Sequence, residues 1–228
     1  MSARSAAAPR NAGILAAQQW PTNAALIADV HRLGYITDDD LVVDVTYGRG
    51  GFWHQYRPAN LVAHDLRLDG VDFRQLPEAD GSVDVVVFDP PYVPQGGRTT
   101  STVDDFIDRY GLVDDAPSTH DKLFELIAAG LAEARRIVRP EGYVLVKCQT
   151  FKHGERLHDM PAAIKRRGER IGLRLEDQLT MVRTPGPTNR TSFVAARRNT
   201  SELLVLQLRP RSRALSLSDI EAAGYEAR

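Results

Sequence analysis

Four short runs of valine and leucine are the feature that most limits how this chain can fold. They are "LVVDVT" (41–46), "LVAHDL" (61–66), "VDVVVFD" (83–89) and "YVLVKCQ" (143–149). Each run is nearly continuous in hydrophobicity, which is typical of parallel strands covered by other elements on both faces. Strands of this kind, joined by helices, predict a doubly wound, Rossmann-like α/β sheet with right-handed crossovers.

Two amphipathic segments are predicted to supply helices. Residues 22–36 carry apolar side chains at helical spacing, and residues 121–138 do the same until Pro140 prevents the helix from continuing. Two later runs, residues 173–182 and 202–208, have no helix between them. We therefore expect those two runs to pair antiparallel at the edge of the sheet, which makes the sheet mostly parallel with an antiparallel C-terminal strand.

Composition points to one domain in a reducing compartment. The 228 residues, 43% of them hydrophobic, suffice for one sizeable core, which we expect over residues 13–208, with a disordered N-terminus (1–12) and a loosely held tail (209–228). The single cysteine, Cys148, lies inside a predicted strand and is interpreted as a core residue. A lone cysteine and the lack of an apolar run that could span a membrane favour a cytoplasmic protein without a membrane partner.

Residues that follow the first two strands predict a nucleoside-binding site. Ligands of such sheets bind outside the carboxyl ends of the strands. The turn in "DVTYGRGGFW" (44–53) contains Gly48, Gly50 and Gly51, which allow a ligand to approach the backbone closely. Asp65 follows the second strand and could accept hydrogen bonds from both hydroxyls of a ribose. An ordinary strand-to-helix turn and a solvated acid are the structural alternatives.

The third strand ends in Asp89, Pro90, Pro91 and Tyr92. The prolines fix φ and remove two backbone N–H donors, so that mainly hydrogen-bond acceptors remain. Such a cluster suits an exocyclic amino group, which Asp89 would orient while it stabilises the developing charge. Tyr92 would provide a face on which a planar base stacks, and its ring should matter more than its hydroxyl. The alternative is a proline-rich turn with an incidental acid.

These segments resemble a known family. "DVTYGRGG", "HDL" and "DGSVDVVVFDPPYV", in that order, resemble the S-adenosylmethionine-dependent DNA amino-methyltransferases of the N6-adenine and N4-cytosine type, which carry the DPPY motif. The resemblance covers residues 41–149 and implies a class I methyltransferase fold with a seven-stranded sheet. It also implies that the cofactor is S-adenosylmethionine and that no metal is needed.

The resemblance also implies roles for individual residues. The cofactor would be held by Asp44, Thr46, Gly48 and Gly50 at its methionine part, by Asp65 at the ribose, and by Asp72 or Phe73 at the adenine edge. Asp89, Pro90, Pro91 and Tyr92 would form the catalytic motif that receives the target amine.

Substrate recognition must come from elsewhere, because the chain has no room for the recognition domain that such DNA enzymes carry. Two long connections, residues 93–120 and 183–200, are predicted to flank the substrate. The second contains basic and aromatic residues and no acid, which can contact phosphates and stack a base: Arg190, Phe193, Arg197 and Arg198. A solvated hairpin is the alternative. Since the net charge is only −1, nucleic acid must be held by such a local patch.

The resulting hypothesis is a methyltransferase acting on adenine N6 or cytosine N4 of DNA, which is favoured over RNA. A partner subunit or a second copy of the chain could supply target recognition. An RNA base amino-methyltransferase, a protein glutamine methyltransferase and a non-catalytic subunit that only binds the methyl donor remain open alternatives.

Overall fold

The computed structural model describes residues 20–92, 117, 119–153, 156–182 and 199–209. The predicted N-terminal segment and all of the predicted tail except Arg209 lie outside these residues. So does almost all of the two long connections predicted to flank the substrate. Within the described ranges, no helix is both long and apolar enough to cross a membrane.

The described residues form three helices and eight strands. In chain order they are α1 (Asn23–Arg32), β1 (Leu41–Asp44), β2 (Asn60–Ala63), β3 (Val83–Phe88), α2 (His120–Ile137), β4 (Val138–Cys148), β5 (Thr150–His153), β6 (Arg156–Asp159), α3 (Met160–Arg170), β7 (Leu173–Val182) and β8 (Thr200–Leu208). The main sheet has the order β2-β1-β3-β4-β8-β7, and β5 pairs with β6 in a separate hairpin.

Strand directions confirm the predicted architecture. The strands β2, β1, β3 and β4 are parallel to one another, and β8 is antiparallel to both β4 and β7. The two late apolar runs therefore pair antiparallel at the sheet edge, as their pattern predicts.

Helix α1 begins after Thr22, whose hydroxyl accepts a hydrogen bond from the backbone N–H of Ala25 at 3.1 Å.

Three details differ from the sequence predictions. The main sheet has six strands among the described residues, not the seven that the resemblance implies. The connections before and after β2, residues 45–59 and 64–82, form turns rather than helices. Strand β4 begins at Val138, directly after α2, rather than at residue 143. In the second connection, the ring nitrogens of His64 contact the carboxylates of Asp69 and Glu78 at 2.6 and 2.7 Å, which ties the turns together.

Two apolar clusters cover the faces of the sheet. One lies against α2 and α3 and includes Phe73, Phe88 and Val146, while the other lies against α1 and includes Val87 and Leu145. All six residues of β3 are buried, as its continuous hydrophobicity predicts. This packing brings the carboxyl ends of β1, β2 and β3 together at one edge of the sheet.

Candidate active site

A cavity of about 310 Å³ lies at the carboxyl ends of β1, β2 and β3. This volume falls at the lower end of the range of small-molecule sites. Seven of the residues predicted from the sequence line it together: Asp44, Thr46, Gly48, Gly51, Asp65, Phe73 and Asp89. Among the described residues, its lining does not include Gly50, Asp72, Pro90, Pro91 or Tyr92.

Thr46 joins the ends of two neighbouring strands. Its backbone N–H donates to Oδ1 of Asp44 at 3.0 Å, and its hydroxyl oxygen accepts a hydrogen bond from the backbone N–H of Asp89 at 2.7 Å. The threonine therefore fixes the distance between the turn after β1 and the turn after β3.

Asp44 is the most deeply buried acid of the cavity, with 3% of its surface exposed. Burial raises the pKa of its carboxyl to about 7, although hydrogen bonds from Trp53 and Thr46 oppose that rise. The negative charges of Asp89 and Asp65 raise this pKa further. The indole N–H of Trp53 donates to Oδ2 of Asp44 at 2.7 Å. Sequence reasoning missed Trp53, although an indole at the end of a glycine turn was an available signal.

The glycine turn requires its glycines for two different reasons. Gly48 and Gly50 have φ values of +55° and +70°, which residues with a Cβ rarely adopt. The N–H of Gly48 donates to Oδ2 of Asp65 at 3.1 Å. A Cβ on Gly50 would lie 2.6 Å from the hydroxyl oxygen of Tyr47, a residue that lines the cavity. That hydroxyl accepts a hydrogen bond from Arg57 at 2.9 Å.

Asp65 is half-buried at the cavity wall. Its second carboxylate oxygen accepts a hydrogen bond from the backbone N–H of Arg67 at 2.9 Å, so both oxygens have backbone partners that fix the orientation of the group.

Asp72 and Phe73 differ sharply in where their side chains lie. Arg74 binds both carboxylate oxygens of Asp72, with its Nη2 at 2.6 Å from Oδ2. Burial acts to raise the pKa of Asp72, but the hydrogen bonds and charge of Arg74 outweigh burial and lower it. Phe73 instead lines the cavity and packs on Phe88, with ring centroids 5.1 Å apart. Of these two residues, only Phe73 faces the site.

The motif after β3 is held by its own tyrosine. The hydroxyl of Tyr92 donates a hydrogen bond to Oδ1 of Asp89, and Pro90 and Pro91 are buried. The sequence predicted that the ring of Tyr92 matters more than its hydroxyl. The structure gives the hydroxyl a role of its own, because it orients the carboxylate that lines the cavity.

Other cavity residues were not identified from the sequence. Asn23 at the start of α1 and the apolar side chains of Phe52, Leu66 and Val71 all contribute to its walls. The predicted substrate contacts Arg190, Phe193, Arg197 and Arg198 lie outside the described residues. The described part of the chain contains no cluster of histidine, cysteine and acidic side chains that could hold a metal ion.

Comparisons with known proteins identify the class of fold. No family model and no curated protein matches the chain. Among solved structures, a protein of Bacillus halodurans C-125, named a putative methyltransferase, has a TM-score of 0.50 and 13% identity and covers 81% of this chain and 99% of its own. The fold is that of class I methyltransferases.

Two further solved structures, both of Thermus thermophilus proteins, have lower TM-scores. A putative DNA modification methylase has a TM-score of 0.43 and 14% identity, with 66% of this chain and 57% of that chain covered. TrmN has a TM-score of 0.46 and 16% identity, with 81% and 48% covered. The present chain thus spans less than two thirds of either protein.

Proposed function

We propose that this protein is an S-adenosylmethionine-dependent methyltransferase that acts on the exocyclic amino group of a nucleobase in DNA, adenine N6 or cytosine N4. One observation carries the proposal. Asp89, the first residue of the Asp-Pro-Pro-Tyr motif, lines the same cavity as the glycine turn and Asp65. The Asp89 carboxylate, a hydrogen-bond acceptor suited to an amino group, is therefore part of the wall of a cavity suited to a nucleoside.

The residues of the cavity fit S-adenosylmethionine. Three carboxylates, those of Asp44, Asp65 and Asp89, suit a ligand that carries a sulfonium and an ammonium group. The apolar walls suit a planar base, and the position of Asp65 after β2 suits the two ribose hydroxyls. When bound, S-adenosylmethionine supplies an electrophilic methyl group that an amine nitrogen can take by direct displacement.

We assign the protein groups as follows. Asp44, Thr46, Gly48 and Gly50 form the part of the site around the methionine end, Asp65 holds the ribose and Phe73 packs against the adenine. Gly50 acts indirectly, since its lack of a side chain lets Tyr47 remain at the wall.

The target amine is received by the motif after β3. The Asp89 carboxylate accepts hydrogen bonds from the amine, orients its lone pair and stabilises the positive charge that develops on nitrogen. Tyr92 orients Asp89 through its hydroxyl and offers its ring to the base. Pro90 and Pro91 lack N–H groups that would compete for the carboxylate. Alignment of the two reactants contributes most of the rate enhancement.

Transfer of labelled methyl groups tests this function. The protein is incubated with labelled S-adenosylmethionine and separate pools of DNA, RNA and protein, and the products are digested and separated. We expect label in N6-methyladenine or N4-methylcytosine from DNA. Label only in RNA or in protein glutamine would overturn the DNA assignment. Binding of S-adenosylmethionine without transfer to any pool would indicate a non-catalytic subunit.

A matched pair of variants tests the cofactor site. Asp65→Ala should weaken binding of S-adenosylmethionine by about 1.5 to 3 kcal/mol, the range for a lost hydrogen bond to a charged group. Asp72→Ala should leave the affinity nearly unchanged, because Arg74 binds that carboxylate away from the cavity. Calorimetry that finds equal losses for both variants would contradict the assignment of Asp65.

A further inference from the structure

Lys147 is a charged residue in the middle of the sheet. It lies on β4, between β3 and β8, and only 1% of its surface is exposed. Lysines are almost never buried so deeply unless their ammonium group is paired, because loss of hydration is costly. The proposed cofactor and target sites do not use this residue.

The ammonium group of Lys147 points to the edge of the sheet where the cavity lies. It donates a hydrogen bond to the hydroxyl of Ser201, which is itself 6% exposed. Lys147 pairs with Leu203, and Cys148 pairs with Glu202. Since β8 is antiparallel to β4, Ser201 lies one residue beyond Cys148 in the direction of the carboxyl end of β4.

The register of β3 and β4 places Lys147 level with the residue that follows β3. Phe88, the last residue of β3, pairs with Val146, and the next residue in each chain segment is Asp89 and Lys147, respectively. Side chains alternate along a strand, and Val87 and Leu145 both pack in the cluster on the α1 side. Lys147, two residues after Leu145, lies on that face of β4, and Asp89, two residues after Val87, is the position that would continue the same face beyond the end of β3.

Several charged side chains lie near this edge of the sheet. Asp44, Asp65 and Asp89 line one cavity and repel one another. Arg49 also lines the cavity, but it is exposed, so solvent and salt screen its charge. A buried ammonium is screened far less. At the end of β4, burial raises the pKa of the Cys148 thiol, the charge of Lys147 opposes that rise and the charge of Asp89 adds to it.

We propose that Lys147 is a positioning residue for Asp89. Its ammonium group, held by Ser201, attracts the Asp89 carboxylate and keeps it in the orientation that receives the target amine. The part of this proposal that concerns the amine rests on the proposed function, whereas the coupling between Lys147 and Asp89 does not.

A double-mutant cycle without any ligand tests the coupling. The variants are Lys147→Met, which keeps an unbranched side chain of similar length, Asp89→Asn, and the two combined. If the two charges do not interact, the factor by which the double substitution changes the unfolding equilibrium constant equals the product of the factors for the two single substitutions. If they interact, the double variant should deviate from that product at least about threefold. Chemical denaturation measures the unfolding equilibrium constant of the parent and of the three variants. A double variant whose constant equals the product expected for independent substitutions would overturn the proposal.

Methyl transfer tests the role in catalysis. Lys147→Met should lower kcat about tenfold or more, while the Kd of S-adenosylmethionine stays within about twofold, because the ammonium acts on Asp89 and not on the cofactor. Leu145→Met, on the same strand and face, is the matched control and should keep the parent kcat. A Lys147→Met enzyme with the parent kcat would overturn the proposal.

Ser201→Ala keeps the test decisive if Lys147→Met does not fold. It frees the ammonium group from its hydroxyl partner and should lower kcat in the same direction by a smaller factor. In the double-mutant cycle, Ser201→Ala then takes the place of Lys147→Met and is combined with Asp89→Asn. If the parent protein transfers no methyl group, the proposed function fails, and the ligand-free cycle still decides whether Lys147 and Asp89 are coupled.

Discussion

Asp44 shows how burial can make a single carboxyl sensitive to neutral pH. Its pKa of about 7 means that it is about half protonated in neutral solution. Its two carboxylate oxygens accept N–H groups of Thr46 and Trp53. A protonated carboxyl can keep both contacts, because its hydroxyl oxygen can still accept a hydrogen bond. An amide could keep only one of them.

The affinity for S-adenosylmethionine is expected to rise with pH between about 6 and 8. A cationic ligand favours ionised Asp44, and lowering the pH through about 7 protonates this carboxyl. One linked proton changes the affinity by up to about tenfold per pH unit. Calorimetry over this range measures the slope. Asp44→Asn should bind more weakly and lose the pH dependence, whereas Asp72→Asn should retain it.

The same group affects stability with the opposite pH trend. Its folded pKa lies above the ordinary value of 3.8, so between about 4 and 7 the folded state keeps a proton that the unfolded chain has lost. The contribution of Asp44 to stability therefore falls as the pH rises through this window and is constant above it.

For the cofactor affinity, a pH dependence that persists in Asp44→Asn would show that another group causes it.

Tyr92→Phe should lower kcat about tenfold without changing the affinity for S-adenosylmethionine. The substitution keeps the ring but removes the hydroxyl that donates to Asp89, and hydrogen bonds to charged groups contribute about 1.5 to 3 kcal/mol. Tyr35→Phe is the control, because that hydroxyl donates to Asp177 on β7, away from the cavity. A Tyr92→Phe enzyme as active as the parent would show that only the ring matters, as the sequence alone suggested.

At the scale of elements, helix α2 supports the cavity from behind. Gly130 lies in this helix at a point where a Cβ would come within 2.6 Å of the Phe73 ring and 2.7 Å of the Phe88 ring. Phe88 is fully buried and Phe73 forms part of the cavity wall. The absence of a side chain at Gly130 therefore sets how closely the helix approaches the aromatic pair behind the cofactor site.

Gly130→Ala should destabilise the protein by about 1 to 3 kcal/mol, the usual cost of overpacking, and should weaken binding of S-adenosylmethionine. In an unobstructed helix the same change stabilises by about 0.5 to 1 kcal/mol. Gly168→Ala in α3 is the control, since its new Cβ would meet neighbours at an ordinary 3.5 Å. Thermal and chemical unfolding measure the free energy of unfolding of both variants. Stabilisation by Gly130→Ala would mean that the aromatic pair can move aside.

At the scale of the whole molecule, a net charge of −1 gives no general attraction to DNA. The connection over residues 183–200 remains the predicted phosphate contact. Replacing Arg190, Arg197 and Arg198 together with alanine should reduce the slope of log affinity for DNA against log salt by about two to three, at roughly 0.9 per lost contact. Salt titrations measure this slope.

Removal of equal charge elsewhere provides the control for that prediction. Lys165, Arg166 and Arg170 on α3 carry the same total charge as the three arginines, and their replacement should change the slope less. Equal changes for both triple variants would point to a general charge effect. An unchanged slope for the first variant would leave the connection as a solvated hairpin.

The sequence by itself determined the class of fold and the edge of the sheet where the site lies. Strand β3 has a continuous hydrophobic run and is buried on both faces, whereas β2, which lies at the edge of the sheet, has a similar run and is only partly buried. The run itself is a local property. The requirement for glycine at Gly48 and the acceptor character of the motif at Asp89 are also local, since they depend on backbone φ and missing N–H groups. Such properties can be read along the chain.

Only the tertiary structure decided which side chains meet. The structure assigns Trp53 to Asp44, and it turns Asp72 away from the cavity toward Arg74 while Phe73 faces it. Lys147 reads as one more residue of a strand until the pairing of β4 with β8 shows that its ammonium group is buried and bound by Ser201. Partners, burial and pKa depend on distances between residues far apart in the chain, and packing alone sets those distances.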